Sequence, residues 1–214
     1  TFVVHDLKNL VSQLSLLTSN AEKHKDNPEF QRDMLETLDF SVQKMRLLLQ
    51  KLGRSASPEH PSPLQLDQVL RQAVAGKAAF EPRPVLDILD AGLKVVADRE
   101  RLERVVGHLV QNAIEATARD GQVAIRVERH GDGAQVTITD TGEGMSEEFI
   151  RERLFKPFES TKSAGMGIGV FESREYISEL GGKLHVASSQ PGGTTFKILL
   201  PLYRVEAASI DIAA

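Results

Sequence analysis

The first fifty residues restrict the fold most. From Val3 the apolar side chains Val3, Leu7, Leu10, Leu14, Leu17 and Ala21 advance in alternating steps of four and three, which lays one stripe along an α-helix for packing against another helix. After a polar turn at Asp26-Asn27-Pro28, with Pro28 suited to a helix's first turn, the spacing returns at Leu35, Leu38, Val42, Met45, Leu49 and Leu52 and stops at Gly53. Two such helices joined by a short turn make an antiparallel hairpin. Alone it would leave Leu16, Met34 and Leu48 poorly covered, so we expect two hairpins to pair into a four-helix bundle as a homodimer, in preference to one hairpin packed on the rest of the chain.

From Arg54 to Pro63 the chain is rich in proline and serine without apolar periodicity and reads as a linker. Beyond it we expect a strand over 64–66, a helix over 67–79, strands over 85–89 and 93–96, and a long amphipathic helix over 98–118. A β-hairpin over 122–129 and 134–140 turns at His130-Gly131-Asp132-Gly133. A glycine-rich region, a helix over 168–180, a strand over 183–188, a turn at Pro191-Gly192-Gly193 and a strand over 194–200 complete the pattern. That is an α/β sandwich of mixed order, with helices on one face of a mainly antiparallel sheet, and the whole chain falls in the α+β class. The expected division is 1–53 hairpin, 54–63 linker, 64–202 α/β domain and 203–214 tail.

Composition removes several functions. The chain has 26 basic and 30 acidic residues, a net charge of −4, and no basic stripe with interleaved aromatics, which argues against nucleic-acid binding. Cysteine is absent, so disulfides, thiolate metal sites and thiol nucleophiles are excluded. No run of about 18 apolar residues occurs, so nothing here is expected to span a membrane. The chain opens inside a helical pattern at Thr1-Phe2-Val3-Val4-His5; we expect a piece of a longer protein whose sensing region lies upstream, with this part working in the cytoplasm whether or not the full-length protein is held at the inner membrane.

Four constellations carry chemistry. His5-Asp6-Leu7-Lys8-Asn9 lies just off the first stripe, with His5 and Asn9 one turn apart on an outward face. A neutral imidazole can attack phosphorus through one nitrogen while a carboxylate such as Asp6 takes the proton of the other. A surface histidine is more often simply solvated, as we read His24. Asn112 is polar among apolar neighbours of the long helix, and its amide oxygen is a hard ligand suited to Mg²⁺; a solvent-facing asparagine is the plainer alternative. Asp140-Thr141-Gly142-Glu143-Gly144 ends a strand. A carboxylate there can accept from an exocyclic amine while Gly142 and Gly144 let a ligand approach the backbone, an arrangement suited to adenine, although Asp-Thr-Gly also fits an ordinary turn. Finally, Lys162 and the glycines Gly165, Gly167 and Gly169 form a loop feeding a helix, able to cradle phosphates on free N–H groups. It has neither the Rossmann nor the Gly-Lys-Ser/Thr pattern.

Taken in order, these segments resemble the sensor histidine kinases of two-component systems. His5 to Asn9 is similar to their histidine box, the segment around Asn112 to their asparagine box, and Asp140 to Gly144 to their first glycine box. Phe155-Lys156-Pro157-Phe158 is similar to the phenylalanine box, Gly165 to Gly169 to the second glycine box, and Gly193-Thr194-Thr195-Phe196 to the closing strand. The run Phe2 to Asn9 also resembles the kinases attached to PEP-CTERM/exosortase systems. The resemblance implies a dimerising phosphoacceptor hairpin followed by a Bergerat-type ATP-binding domain, with ATP and Mg²⁺ bound by the second and a response regulator receiver domain as partner. It implies His5 as acceptor, Asp6 as its base, Asn9 where water is oriented for dephosphorylating the partner, Thr194 at the nucleotide, and a mobile lid between Phe155 and Gly169.

One position departs from the family: His108 stands where a second asparagine is usual, four residues before Asn112. It cannot copy the carboxylate base of the gyrase-like relatives, which favours transfer over hydrolysis; beside the pocket it can also merely pack or hydrogen-bond. Two rival readings are a non-catalytic nucleotide-sensing module and an ATPase or serine kinase. Intact His5, Asp6, Asn112 and Asp140 disfavour the first, and the histidine-bearing heptad hairpin disfavours the second.

Overall fold

The computed structural model describes residues 2–24, 26–53, 61–157 and 167–204, and of 2–8, 22 and 46–53 the course of the backbone. The chain divides into two units, Thr1–Pro58 and Glu59–Ala214.

In the first unit, α1 (Phe2–His24) and α2 (Pro28–Gly53) pack as a hairpin. Asn27 caps α2, its Oδ1 accepting from the N–H groups of Glu29 at 3.0 Å and Phe30 at 3.5 Å, and Pro28 follows where its missing N–H costs nothing. His24 does more than meet solvent: its ring lies 5.5 Å from that of Phe30 across the turn. On α1 the expected stripe faces inward, with Leu10 buried and Leu14, Leu17 and Ala21 half-buried. On α2 it does not. The residues turned toward α1 are Phe30, Met34, Thr37 and Ser41, while Leu35 (63% exposed), Leu38 and Val42 face outward. Met34, expected to be poorly covered, is half-buried here. A seven-residue repeat offers two neighbouring faces to a partner, and α2 turns the mixed face of Phe30, Met34, Thr37 and Ser41 to α1, keeping the aliphatic one outside.

The second unit has a five-stranded sheet in the order β2-β4-β5-β7-β6 and a separate β1-β3 pair. Its strands are β1 (Ser62–Gln65), β2 (Val85–Ile88), β3 (Lys94–Ala97), β4 (Val123–His130), β5 (Gly133–Asp140), β6 (Lys183–Ser189) and β7 (Gly193–Pro201). Only β2 runs parallel to its neighbour; the other pairings are antiparallel. Helices α3 (Leu66–Ala75), α4 (Arg99–Ala116) and α6 (Gly169–Glu179) line one face, as expected, and α5 (Glu147–Glu152) follows β5. The core forms where α4 presents Leu102, Val106, Leu109 and Val110 to Ile125, Ile138 and Ile198 of the sheet, all with no exposed surface.

Local signals set the ends of α4. Asp98 caps it by accepting from the Arg101 N–H at 2.8 Å, and the Thr117 hydroxyl donates to the Ala113 carbonyl at 2.7 Å. Three features differ from expectation: the first strand starts at Ser62, so the last two residues of the expected linker pair with β3, the helix over 67–79 ends at Ala75, and α5 had no counterpart. Ser146 followed by Glu147 and Glu148 marks α5's start, and its hydroxyl accepts from the Phe149 N–H at 3.2 Å.

Candidate functional site

At one end of the sheet three polar side chains replace the apolar pattern in a single cross-strand row. Asp140 on β5 is paired in register with Thr194 on β7, and Thr194 with Ser188 on β6. Direct cross-strand partners share a face, so the row points to the helix side, where positions further along hold Ile138, Phe196 and Val186.

Asp140 is 4% exposed. Its Oδ1 accepts from the N–H groups of Gly142 at 2.9 Å and Thr194 at 3.1 Å. Among the described residues Oδ2 makes no hydrogen bond. Burial raises the carboxyl pKa above the ordinary carboxylate value, and the two N–H donors oppose the rise by favouring the ion. The site therefore holds a costly acceptor with one oxygen already satisfied and the other left for a donor.

The glycines after Asp140 are required by close backbone packing. A Cβ on Gly142 would collide with the Ala116 carbonyl oxygen at the end of α4, which accepts from the Glu143 N–H at 3.2 Å. Gly144 has φ +71°, and a Cβ there would collide with the Ser189 carbonyl oxygen. These contacts seat the turn between the end of α4 and the β6–β7 hairpin.

Asn112 is half-buried on α4, one turn before Ala116. One turn earlier still, the His108 ring lies over Gly169, the first residue of α6: a Cβ on that glycine would be 3.1 Å from ring atoms. Partial burial lowers the His108 pKa; Glu172 opposes the shift, Lys77 and Arg104 add to it, and Glu115 opposes it. At its other end α6 is tied back to the start of α4. The Tyr176 hydroxyl accepts from the Asp98 N–H at 2.9 Å and donates to the Asp98 carbonyl at 3.2 Å, and the Arg101 guanidinium lies 4.0 Å from the Tyr176 ring centre.

The fold thus brings Asp140, Gly142, Gly144 and Thr194 together, with Asn112 on the adjoining helix. Gly167 (φ +63°) and Gly169 lie at the start of α6. Lys162 and Gly165, with most of the expected lid and Phe158, lie outside the described residues. His5 and Asp6 lie on the α1 backbone, and Asn9 is exposed one turn later. Ser188 was not singled out from the sequence; the alternation Leu184, Val186, Ser188 carries the signal, since it puts this hydroxyl on the face of Thr194.

The buried carboxylate at a strand end, the glycine turn and the long helix bearing an amide all lie within residues 97–204, which match the family model described as "Histidine kinase-, DNA gyrase B-, and HSP90-like ATPase". The chain belongs to this family, in its sensor histidine kinase branch. It is 30% identical over 208 residues to the C4-dicarboxylate transport sensor protein DctB of Rhizobium meliloti (strain 1021), covering 92% of this chain and 33% of that protein. The catalytic domain of histidine kinase ThkA superposes with a TM-score of 0.60 at 29% identity, over 67% of this chain and 96% of that one. ThkA in complex with the response regulator protein TrrA gives a TM-score of 0.58 at 25% identity, over 94% of this chain and 60% of the other. The chain spans about a third of the length of the curated relatives it matches, DctB at 33% and KinB of Pseudomonas aeruginosa at 36%. These likenesses give no support to the narrower PEP-CTERM resemblance. Among the described residues no helix is long and apolar enough to cross a membrane.

Proposed function

We propose that this chain is the autokinase core of a two-component system. It takes the γ-phosphoryl group of ATP onto His5 and passes it to an aspartate on the receiver domain of a response regulator. The observation that carries this is the buried Asp140 carboxylate, with Oδ1 bound by two backbone N–H groups and Oδ2 left for a donor, in a chain of this family whose hairpin bears His5-Asp6. The unpaired acceptor fits the exocyclic amine of adenine.

In this reading the α/β unit from Ser62, the start of β1, to residue 202 binds ATP, 1–53 dimerise and carry the acceptor, 54–61 link them, and 203–214 form a tail. Asp140, Gly142, Gly144 and Thr194 hold the base. Lys162, Gly165, Gly167 and Gly169 meet the phosphates, and Asn112 contributes an amide oxygen to Mg²⁺, an assignment that its place one turn before Ala116 supports. Mg²⁺ would supply charge neutralisation on the phosphate oxygens.

One His5 nitrogen attacks the γ-phosphorus as the bond to the ADP oxygen breaks, and Asp6 takes the proton from the other nitrogen. The receiver carboxylate then attacks phosphorus as the N–P bond breaks. Asn9, one turn from His5, orients water when the partner is dephosphorylated. The outward stripe Leu35-Leu38-Val42 supports the homodimer, because aliphatic residues at heptad spacing seek a second helical face. ATP and receiver domains are cytoplasmic reactants, so this part works in the cytoplasm.

The test is label from γ-labelled MgATP. Acid-labile, base-stable label on the chain, lost in His5→Gln, is expected; ATP binding without label on His5 would instead favour a nucleotide-sensing module.

A further inference from the structure

Ser188 sits at the crossing of three hydrogen bonds. Its Oγ accepts from the Met145 N–H at 2.8 Å, donates to the Gly193 carbonyl at 2.8 Å and lies 2.9 Å from the Thr194 hydroxyl. Neither backbone partner can change role: an N–H cannot accept and a carbonyl cannot donate. The single Ser188 proton is therefore spent on Gly193, and the only proton left for the bond between the two hydroxyls belongs to Thr194. With two bonds accepted and one donated, Ser188 is saturated. Thr194 is left presenting lone pairs, beside a carboxylate whose free oxygen also presents lone pairs.

We infer that Ser188, by holding the Thr194 proton, makes this end of the sheet an acceptor-only edge that selects a purine bearing an amine at C6 over one bearing a carbonyl oxygen. This rests on the reading of Asp140 and Thr194 as the groups that meet the base. Ser188 is a positioning residue: it acts through Thr194 and needs no contact with the nucleotide. A 6-keto purine turns an oxygen's lone pairs toward the Asp140 and Thr194 oxygens, leaving acceptors facing acceptors in a buried place, where the loss is largest. Without Ser188 the Thr194 hydroxyl can rotate and offer its proton to that oxygen.

The same network ties the selection to the turn after Asp140. Met145 closes that turn, and its N–H lands on Ser188, while the carbonyls that exclude a Cβ from Gly144 belong to Ser189 and, at 3.2 Å, Gly193. The hydroxyl that orients Thr194 thus also fastens the loop that closes this end of the sheet.

The experiment is equilibrium binding of ATP and of inosine triphosphate to the 214-residue chain, to Ser188→Ala and to Ser188→Thr. The unaltered chain should prefer ATP. Ser188→Ala should narrow that preference by about tenfold, roughly one hydrogen bond, and Ser188→Thr, which keeps the hydroxyl, should restore it. A Ser188→Ala chain that binds both nucleotides more weakly but with the same ratio would overturn the inference while leaving Asp140 as the base reader. An unaltered chain with no preference for ATP would instead strike the reading of Asp140 itself, and this inference with it. Should Ser188→Ala not fold, proton NMR of the unaltered chain decides: a slowly exchanging Thr194 hydroxyl proton close to the Ser188 side chain is expected, and a Thr194 proton directed at Asp140 overturns the proposal.

Discussion

The hairpin and the α/β unit use the same apolar periodicity and end in opposite states. On α4 the stripe Leu102, Val105, Val106, Leu109, Val110, Ala113 and Ile114 is buried throughout, because the sheet offers it a matching face. On α2 the stripe Leu35, Leu38 and Val42 stays exposed, because α1 is covered by Phe30, Met34, Thr37 and Ser41. A sheet with one helical layer closes its core within one chain. A two-helix hairpin has more apolar face than it can cover by itself.

The sharpest way to break this comparison is to truncate each stripe. Leu109→Ala should cost the α/β unit about 3 kcal/mol in urea unfolding, since the surrounding core cannot collapse fully into the space. Leu38→Asp should leave that unfolding transition unchanged and move the sedimentation coefficient from dimer to monomer. If Leu38→Asp leaves the chain's mass in solution as it was, the open stripe is not the dimer face.

Next in size is the conflict between binding and stability at Asp140. Its folded pKa is raised by burial, so the stabilising influence of the neutral form is present at low pH and lost as pH rises through the folded value. Asp140→Asn keeps an oxygen for the Gly142 and Thr194 N–H groups without the buried charge. It should melt higher than the unaltered chain at pH 7, converge with it below the ordinary carboxylate range, and bind ATP at least about tenfold more weakly. A lower melting temperature at pH 7 would show that the two N–H bonds outweigh the burial cost.

A smaller effect is expected where α6 meets α4. Gly169→Ala puts a methyl 3.1 Å from the His108 ring and should cost about 1 kcal/mol, relieved when His108→Ala is added, a coupling that a double-mutant cycle measures. The smallest is His108 itself. Its pKa is lowered in the folded state, so its contribution is present above the ordinary histidine value and lost as pH falls through the folded one. The urea midpoint of His108→Asn should therefore fall less between pH 7.5 and pH 5 than that of the unaltered chain.

Much of this was legible in the residues. The elements of the α/β unit follow from alternation, from helical spacing and from caps such as Asp98, and the Asp140-Gly142-Gly144 turn was visible as a candidate site. Which face of α2 meets α1 was not legible, because a heptad shows which residues are apolar and not which of two adjacent faces meets the nearer helix. The 147–152 helix escaped because it spans less than two turns and gives periodicity little to work on, although Ser146 signalled its start.

The role of each hydroxyl was beyond any local pattern. Alternation alone settled that Asp140, Thr194 and Ser188 each face inward from a strand, since it depends on neighbours along one strand. That the three form one row, with a single possible direction for the Thr194 proton, was decided by the register between β5, β7 and β6. Register is a relation between segments as far apart as residues 140 and 194, and it exists only once the sheet has formed.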